Sequence, residues 1–300
     1  MNNIDKIITK YTLEPKTYHY RNKAIILDTD KGKFVFKKRK RNDKKEIYDY
    51  LLSRNFSFFL YPENNFDDEY EIYAYLDEFG GLKEEKAAHL VSILAELQNR
   101  TTSYTQYTLD EIKEIYETKS SMINYLFEYY NDLEEVFSTH IYPAPFETLL
   151  LNNVSKIYNT LSYSKDLVEK WYKKILTNKK KRLVFLHNHL TLNHFIDGKE
   201  AKLINFDYAK YGSPIIDFVN FYKTHYLELD MYSLFMLYQR KYRYTEEELL
   251  LFFIEIIIPD KVSITNDVYQ NTLNIYHLIT YIDITREFIL KQEQKQQKEN

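Results

Sequence analysis

Hydrophobic and polar positions follow two rhythms along this chain. Up to about residue 80, short apolar runs alternate with turn-like segments. "KAIILDT" (Lys23 to Thr29) and "KFVFKK" (Lys33 to Lys38) flank Asp30-Lys31-Gly32, which predicts a β-hairpin. The charged segment "RNDKKEIYDYLLSRN" follows, with Ile47, Tyr50 and Leu51 on one helical face. Two further runs, "FSFFLYP" and "EYEIYAYL", are separated by the polar "ENNFDD". The expectation is two strands, one helix and two strands, forming a small antiparallel sheet with a helix against it.

Gly80-Gly81 then punctuates the chain, and the rhythm turns helical. In "KEEKAAHLVSILAELQN" Ala87, Val91 and Leu94 recur at helical spacing beside Leu90 and Leu97. Long helices are predicted over roughly 109–137 and 146–177, and helices again beyond Asp230. The basic run "NKKKR" (Asn178 to Arg182) reads as a solvated connection, and "KQEQKQQKEN" as a frayed polar tail. "LLLFFIEIII" (Leu249 to Ile258) is about half a membrane span and contains Glu255, so it reads as a buried helix. One β island interrupts the helical half: "LVFL", then "HFI" and "AKLINF" joined through Asp197-Gly198 as a hairpin.

Composition narrows the classes. With 44% hydrophobic residues the 300-residue chain can bury a core, so disorder is excluded. A net charge of −3 argues against nucleic acid or an anionic membrane as a general partner. The absence of cysteine removes disulfides and thiol catalysis. It fits a cytoplasmic setting, as do the charges in "MNNIDKIITKY" where a signal peptide needs an apolar core. None of the five glycines (Gly32, Gly80, Gly81, Gly198, Gly212) forms a phosphate-cradling loop. At 17% aromatic, almost any pocket would be aromatic-lined, so Tyr222, Tyr226 and Trp171 are only weak candidates for a cage around a quaternary ammonium.

Three of the eight histidines, His187, His189 and His194, fall within "LHNHLTLNHFIDGKEAKLINFDYA". His19, His89, His140, His225 and His277 are isolated and read as structural or surface residues. This stretch, with "YGSPIIDFVNFY" after it, resembles the aminoglycoside phosphotransferase and choline kinase superfamily, including its spore-coat-associated kinase-like members. The resemblance implies an α+β, two-lobed protein-kinase-like fold. Its small N-terminal antiparallel-sheet lobe with one helix would occupy 1–78. A large, mainly helical C-terminal lobe would span 79–290 and carry a catalytic-loop-like hairpin at 183–209, leaving 291–300 as tail. The family's H-G-D-x-x-x-x-N loop supplies a catalytic base and a magnesium ligand, its I-D-[WF] a second magnesium ligand, and G-x-P-x-x-D follows. Phosphoryl transfer needs those types, because a carboxylate takes the acceptor's proton while oxygen ligands hold the magnesium bridging the phosphates.

Carried over residue by residue, His187 matches the motif and departures follow. His189 stands where the catalytic Asp belongs, His194 where the Asn belongs, and Asn205 where the metal-binding Asp belongs. Asp207, two residues on, is the remaining carboxylate that a shifted loop would turn inward. The resemblance makes Lys37 the lysine that meets the nucleotide phosphates, with Lys38 next if the register slips, Glu46 its helix partner, and Asp77 part of the hinge edging the adenine. It makes Asp217 a brace for the catalytic loop, behind Ser213 as helix cap and Pro214 at the first helical position. Lys37, His189, His194, Asn205 and Asp207 are expected to converge.

Imidazole is a poor ligand for magnesium, and Asn205 lacks the charge that draws the ion in. The expectation is a catalytically degenerate, pseudokinase-like protein with a binding or scaffold role for a small molecule or protein. The alternative is an active ATP- and magnesium-dependent small-molecule phosphotransferase in which His189 accepts the proton. A third reading gathers the imidazoles, with Asp207, around zinc or a similar metal.

Overall fold

The computed structural model describes residues 8–299 apart from 12, 22–23 and 64–69. Most of the charged N-terminal stretch and of the "ENNFDD" connection lies outside the described residues, as does Lys23, the first residue of "KAIILDT". The chain gathers into two compact units. One comprises the described residues of Met1–Thr101 together with His187–Lys210, and the other comprises Thr102–Leu186 and Tyr211–Asn300.

The first unit is built on a four-stranded antiparallel sheet in sequence order: β1 (Pro15–Arg21), β2 (Ala24–Thr29), β3 (Gly32–Lys38) and β4 (Tyr70–Ala74). The β2–β3 turn forms where expected. Thr29 Oγ1 accepts the Lys31 amide at 3.1 Å, and Gly32 takes φ +123°, which side-chain-bearing residues rarely adopt. Alternation then sorts the side chains. Ile25, Leu27, Phe36 and Ile72 form a core cluster on one face. The register pairs Lys37 with Glu71 and Val35 with Tyr73, which puts Lys37, Glu71 and Tyr73 on the other face.

Two strand expectations are corrected. β1 was not expected as a strand: Tyr18 and Tyr20 alternate in "PKTYHYR", but the strand is exposed throughout and holds an edge through its pairing with β2. "FSFFLYP" is not a strand. It touches the β island through a single bridge, Phe59 to Leu203, and buries Phe56 and Phe59 instead. Phe59 stacks on Tyr48 at 4.5 Å. Tyr48 belongs to α1 (Lys44–Ser53), whose buried stripe is Lys44, Ile47, Tyr48 and Leu51, with a lysine at its head.

The same unit contains α2 (Lys83–Thr101), with Ala87, Leu90, Val91, Leu94 and Leu97 buried as the pattern predicts. It also contains the hairpin of β7 (Phe195–Ile196) and β8 (Lys202–Leu203). The Phe79 amide donates to the Asp197 carbonyl at 2.7 Å beside the hairpin turn. A Cβ on Gly198 would lie 2.4 Å from the backbone oxygen of Asp77. Gly198→Ala should therefore cost about 1–3 kcal/mol, the usual range for overpacking against atoms that cannot rotate away. An unchanged thermal midpoint would show that the 77–79 backbone yields.

The second unit holds the long helices α3 (Leu109–Ser138) and α4 (Pro145–Thr177), then α5 (Ile215–His225), α6 (Met231–Lys241), α7 (Glu246–Ile257) and α8 (Val268–Glu299). Local chemistry starts several of them. Thr108 and Glu111 form a capping box on α3, as do Thr245 and Glu248 on α7, and Pro145 opens α4. α5 begins one residue later than expected, with Pro214 at its cap position. α7 is the expected buried helix, and its Glu255 carboxylate meets Lys119 at 2.7 Å. α8 runs on to Glu299, where a frayed tail was expected. The core is aromatic: Phe235 stacks on Phe252 at 4.7 Å, with Phe218, Tyr238 and Phe288 around them.

The basic run is also corrected. Residues from Lys180 onward open β6 (Lys180–Leu186), which lies between β5 (Ser103–Gln106) and β9 (Lys210–Gly212). Two of its charges are paired locally, Lys181 with Glu111 at 2.7 Å and Arg182 with Glu248. Among the described residues no helix is long and apolar enough to cross a membrane.

Candidate functional site

The first unit brings together Lys37, His189, His194, Asn205 and Asp207, joined by residues the sequence did not flag. Lys37 projects from β3 on the sheet face away from Phe36. Its ammonium donates to Asn205 Oδ1 and, at 2.6 Å, to Asp207 Oδ2. The other Asp207 oxygen accepts from Lys44 at 2.7 Å, and Lys40 approaches Oδ2 at 3.4 Å. Lys44 also donates to Glu71 Oε2 at 2.6 Å, and the Tyr73 hydroxyl donates to the same oxygen at 2.9 Å.

The loop's own geometry turns Asp207 inward. Asn205 sits in the left-handed region at φ +72°, which asparagine tolerates better than most residues, and leads into the single turn Phe206–Tyr208. Phe206 buries its ring edge-on to Tyr48 at 5.7 Å, so Asn205 and Asp207 flank an anchored aromatic. Arg41 fixes the turn's exit by donating to the Ala209 carbonyl at 2.7 Å.

The histidines divide by environment. His187 is fully buried, with Nε2 2.8 Å from the Ile204 carbonyl and its ring edge-on to Phe206. Burial lowers its pKa to about 4, and His194 and His189 push the same way, so the ring is neutral. His194 places Nδ1 2.7 Å from the His189 carbonyl, so Nδ1 carries the proton. Its Nε2 then accepts from the Asn205 amide nitrogen at 3.0 Å. Burial, then His189 and Lys37, hold His194 below the ordinary imidazole value. His189 is exposed, its ring 4.8 Å from His194 and 5.2 Å from Tyr208.

Electrostatics centre on Asp207, whose side chain is 2% exposed. Burial alone would raise its carboxyl, but Lys44 and Lys37 outweigh that and hold it well below the usual carboxylate range. Burial and the neighbouring Lys44 lower the Lys37 ammonium, against the opposing pull of Asp207.

The geometry overturns the role expected of Glu46 and places the other expected residues individually. Glu46 is exposed and is not the partner of Lys37. At 100° per residue it sits about 200° from Lys44, opposite the buried stripe of α1. Lys38 is exposed at the end of β3, so the register has not slipped. Asp77 is exposed, and its carbonyl rather than its carboxylate meets the hairpin at Gly198. Asp217 lies in the second unit, buried in the first turn of α5. Trp171 and Tyr222 are core residues, Tyr222 donating to Thr285 Oγ1 at 2.9 Å, whereas half-buried Tyr226 lines a cavity with Tyr281 and His277.

The donor set does not fit magnesium, which wants near-octahedral oxygen ligation. Both oxygens of Asp207 and the Asn205 oxygen face ammonium groups, and His194 Nε2 accepts from Asn205. Among the described residues no group of three or more His, Asp or Glu is placed to hold a metal ion, which leaves the zinc reading without a ligand set.

The sequence missed Lys44, Lys40 and Glu71. Lys44 was legible in principle, because it stands at helical spacing from Ile47, Tyr48 and Leu51. A lysine on a buried stripe requires a buried anion.

No family model matches the sequence, and no curated protein matches it. Solved structures do. An aminoglycoside phosphotransferase from Alicyclobacillus acidocaldarius superposes with a TM-score of 0.62 at 14% identity, covering 96% of this chain and 92% of its own. The chain has the aminoglycoside phosphotransferase fold. Spectinomycin phosphotransferase APH(9)-Ia, in its AMP-bound complex, shares this phosphotransferase fold at a TM-score of 0.52 and 12% identity, covering 94% and 97%. A glucosamine kinase reaches 0.50 at 12% identity, covering 93% and 80%.

Proposed function

We propose that this protein is a kinase-fold binding protein that has lost phosphoryl transfer, built on an aminoglycoside phosphotransferase scaffold and acting on a small molecule or a protein partner. One observation carries the reading. At the positions where the family resemblance places the metal-binding groups, the side chains present bond to one another and to lysines. Asn205 bridges Lys37 and His194, and Asp207 bridges Lys37 and Lys44. Recruiting a divalent cation would require breaking several of these contacts at once.

ATP with magnesium is the cofactor pair an active member of this fold would use, as the AMP-bound relative suggests. The test is a phosphoryl-transfer assay on the full chain with ATP, Mg²⁺ and a panel of aminoglycosides, choline and hexosamines. ATP consumption should stay at the level of a Lys37→Ala control. Magnesium-dependent consumption that His189→Ala abolishes would overturn this reading in favour of an active enzyme with histidine as base.

A further inference from the structure

A cavity of about 440 Å³ opens in the second unit, within the range of roughly 300–1,000 Å³ usual for small-molecule sites. It lies where the end of α5, the α7–α8 connection and the first turns of α8 meet. We infer that this cavity binds a small organic anion, a carboxylate carried on a flat apolar body, through Lys223, Lys261 and His277. The inference goes beyond the proposed function and does not rest on it, since the network of Lys37, Asn205 and Asp207 belongs to the first unit. On α5 itself, Lys223 and Tyr226 leave the axis about 120° and 180° from Asp217, the residue that the resemblance assigns to the catalytic loop.

The walls are set before any ligand arrives. Tyr129 donates to the Val262 carbonyl at 2.6 Å and the Tyr130 hydroxyl accepts from the Val262 amide at 3.4 Å, so α3 pins the α7–α8 connection. The Asn271 side chain fixes its far end, accepting from the Thr265 amide at 2.9 Å and donating to the Thr265 carbonyl at 2.7 Å. One wall is apolar. Buried Leu278 lies there with Tyr226 and Tyr281, whose rings meet edge-on at 4.9 Å.

The polar groups facing the cavity are mainly donors. The Asn274 oxygen already accepts from Gln270 at 2.8 Å, which leaves its NH2 group to offer. The Tyr281 hydroxyl is committed to the Ile256 carbonyl, and exposed His277 offers a ring N–H in either tautomer. Two lysines stand against one lining carboxylate, Asp260, which is 84% exposed and 3.4 Å from Lys223. So solvated a pair contributes little and yields to a better-placed anion. The Lys261 ammonium lies 4.1 Å from the ring centre of Tyr129 and donates to the Tyr125 hydroxyl, with no carboxylate partner among the described residues. A surplus of one positive charge beside an aromatic wall selects an anion with an apolar body. It repels the quaternary ammonium for which Tyr226 was a candidate.

The experiment is isothermal calorimetry on the full chain with benzoate and naphthoate, against benzyl alcohol and benzylammonium as neutral and cationic counterparts. Both carboxylates should bind, severalfold more tightly than either counterpart. Lys223→Met, at a side chain 31% exposed and with its melting temperature as a folding control, should weaken carboxylate binding about fivefold. Lys261→Met should act in the same direction. Lys40→Ala should bind like the parent, because that lysine lies in the first unit. No heat with either carboxylate, equal or tighter binding of the alcohol or the ammonium, or a Lys223→Met variant that binds like the parent would each overturn the inference. Loss of binding in Lys40→Ala would overturn it too, by placing the anion in the first unit. Turnover in the transfer assay would overturn the proposed loss of catalysis and leave the carboxylate result standing.

Discussion

Lys44→Met should destabilise the protein by about 3–5 kcal/mol, the usual result of leaving buried charge without its partner. Glu71 is fully buried and, among the described residues, would keep the Tyr73 hydroxyl as its side-chain donor. Asp207 would keep Lys37 and the more distant Lys40. In a chain of this size each kcal/mol lowers the melting midpoint by roughly 2–4 °C, so a fall on the order of 10 °C is expected. Adding Glu71→Leu should recover much of it, because removing both members of a buried pair costs far less than removing one. A single variant within about 1 kcal/mol of the parent, by urea or thermal melting, would show that water reaches the carboxylates and that the cluster is not a dry network.

Stability should also fall steeply on mild acidification, through His187. Burial holds its folded pKa at about 4, against an ordinary 6.5 when unfolded. Between those values the unfolded chain binds a proton that the folded chain refuses. The contribution is complete above about pH 6.5 and is lost as pH falls towards 4, about 3 kcal/mol in all. Asp207 acts in the same direction but lower, since its folded pKa lies beneath the ordinary carboxylate range. Urea midpoints at pH 7.5, 6.5, 5.5 and 4.5 would trace the loss. His187→Gln should be less stable at neutral pH, without its Ile204 contact, and should flatten the curve between 6.5 and 4.5. Parallel curves for parent and variant would assign the acid sensitivity elsewhere.

What could be read from the sequence follows from where periodicity is strong. α2, α3, α4 and α7 have apolar stripes long enough to predict their ends within a few residues, and the β7–β8 hairpin has its Asp-Gly turn. β1 and β5 were invisible because their residues are exposed on both faces. A strand held only by backbone pairing leaves no hydrophobic trace. "FSFFLYP" misled for the opposite reason, since its aromatics are buried without a ladder. Within the site, the motif resemblance pointed to Lys37, His189, His194, Asn205 and Asp207, all of which the fold places in one unit. It pointed to Glu46 as well, because a partner expected from the family was placed without asking which face of α1 was buried. Reading that face would have exchanged Glu46 for Lys44.

The Asn205 amide ties the protonation of two neighbours together. It donates to His194 with one end and accepts from Lys37 with the other, so each neighbour's protonation presupposes an amide between them. An aspartate at 205 could not donate to His194 Nε2, and that ring would have to take up a proton at a half-buried position where burial opposes it. A change at exposed position 189 alone would leave the Asn205–His194 pair unaltered. Asn205 and His194 therefore behave as one unit, and replacing the amide by a carboxylate changes the protonation of two side chains at once.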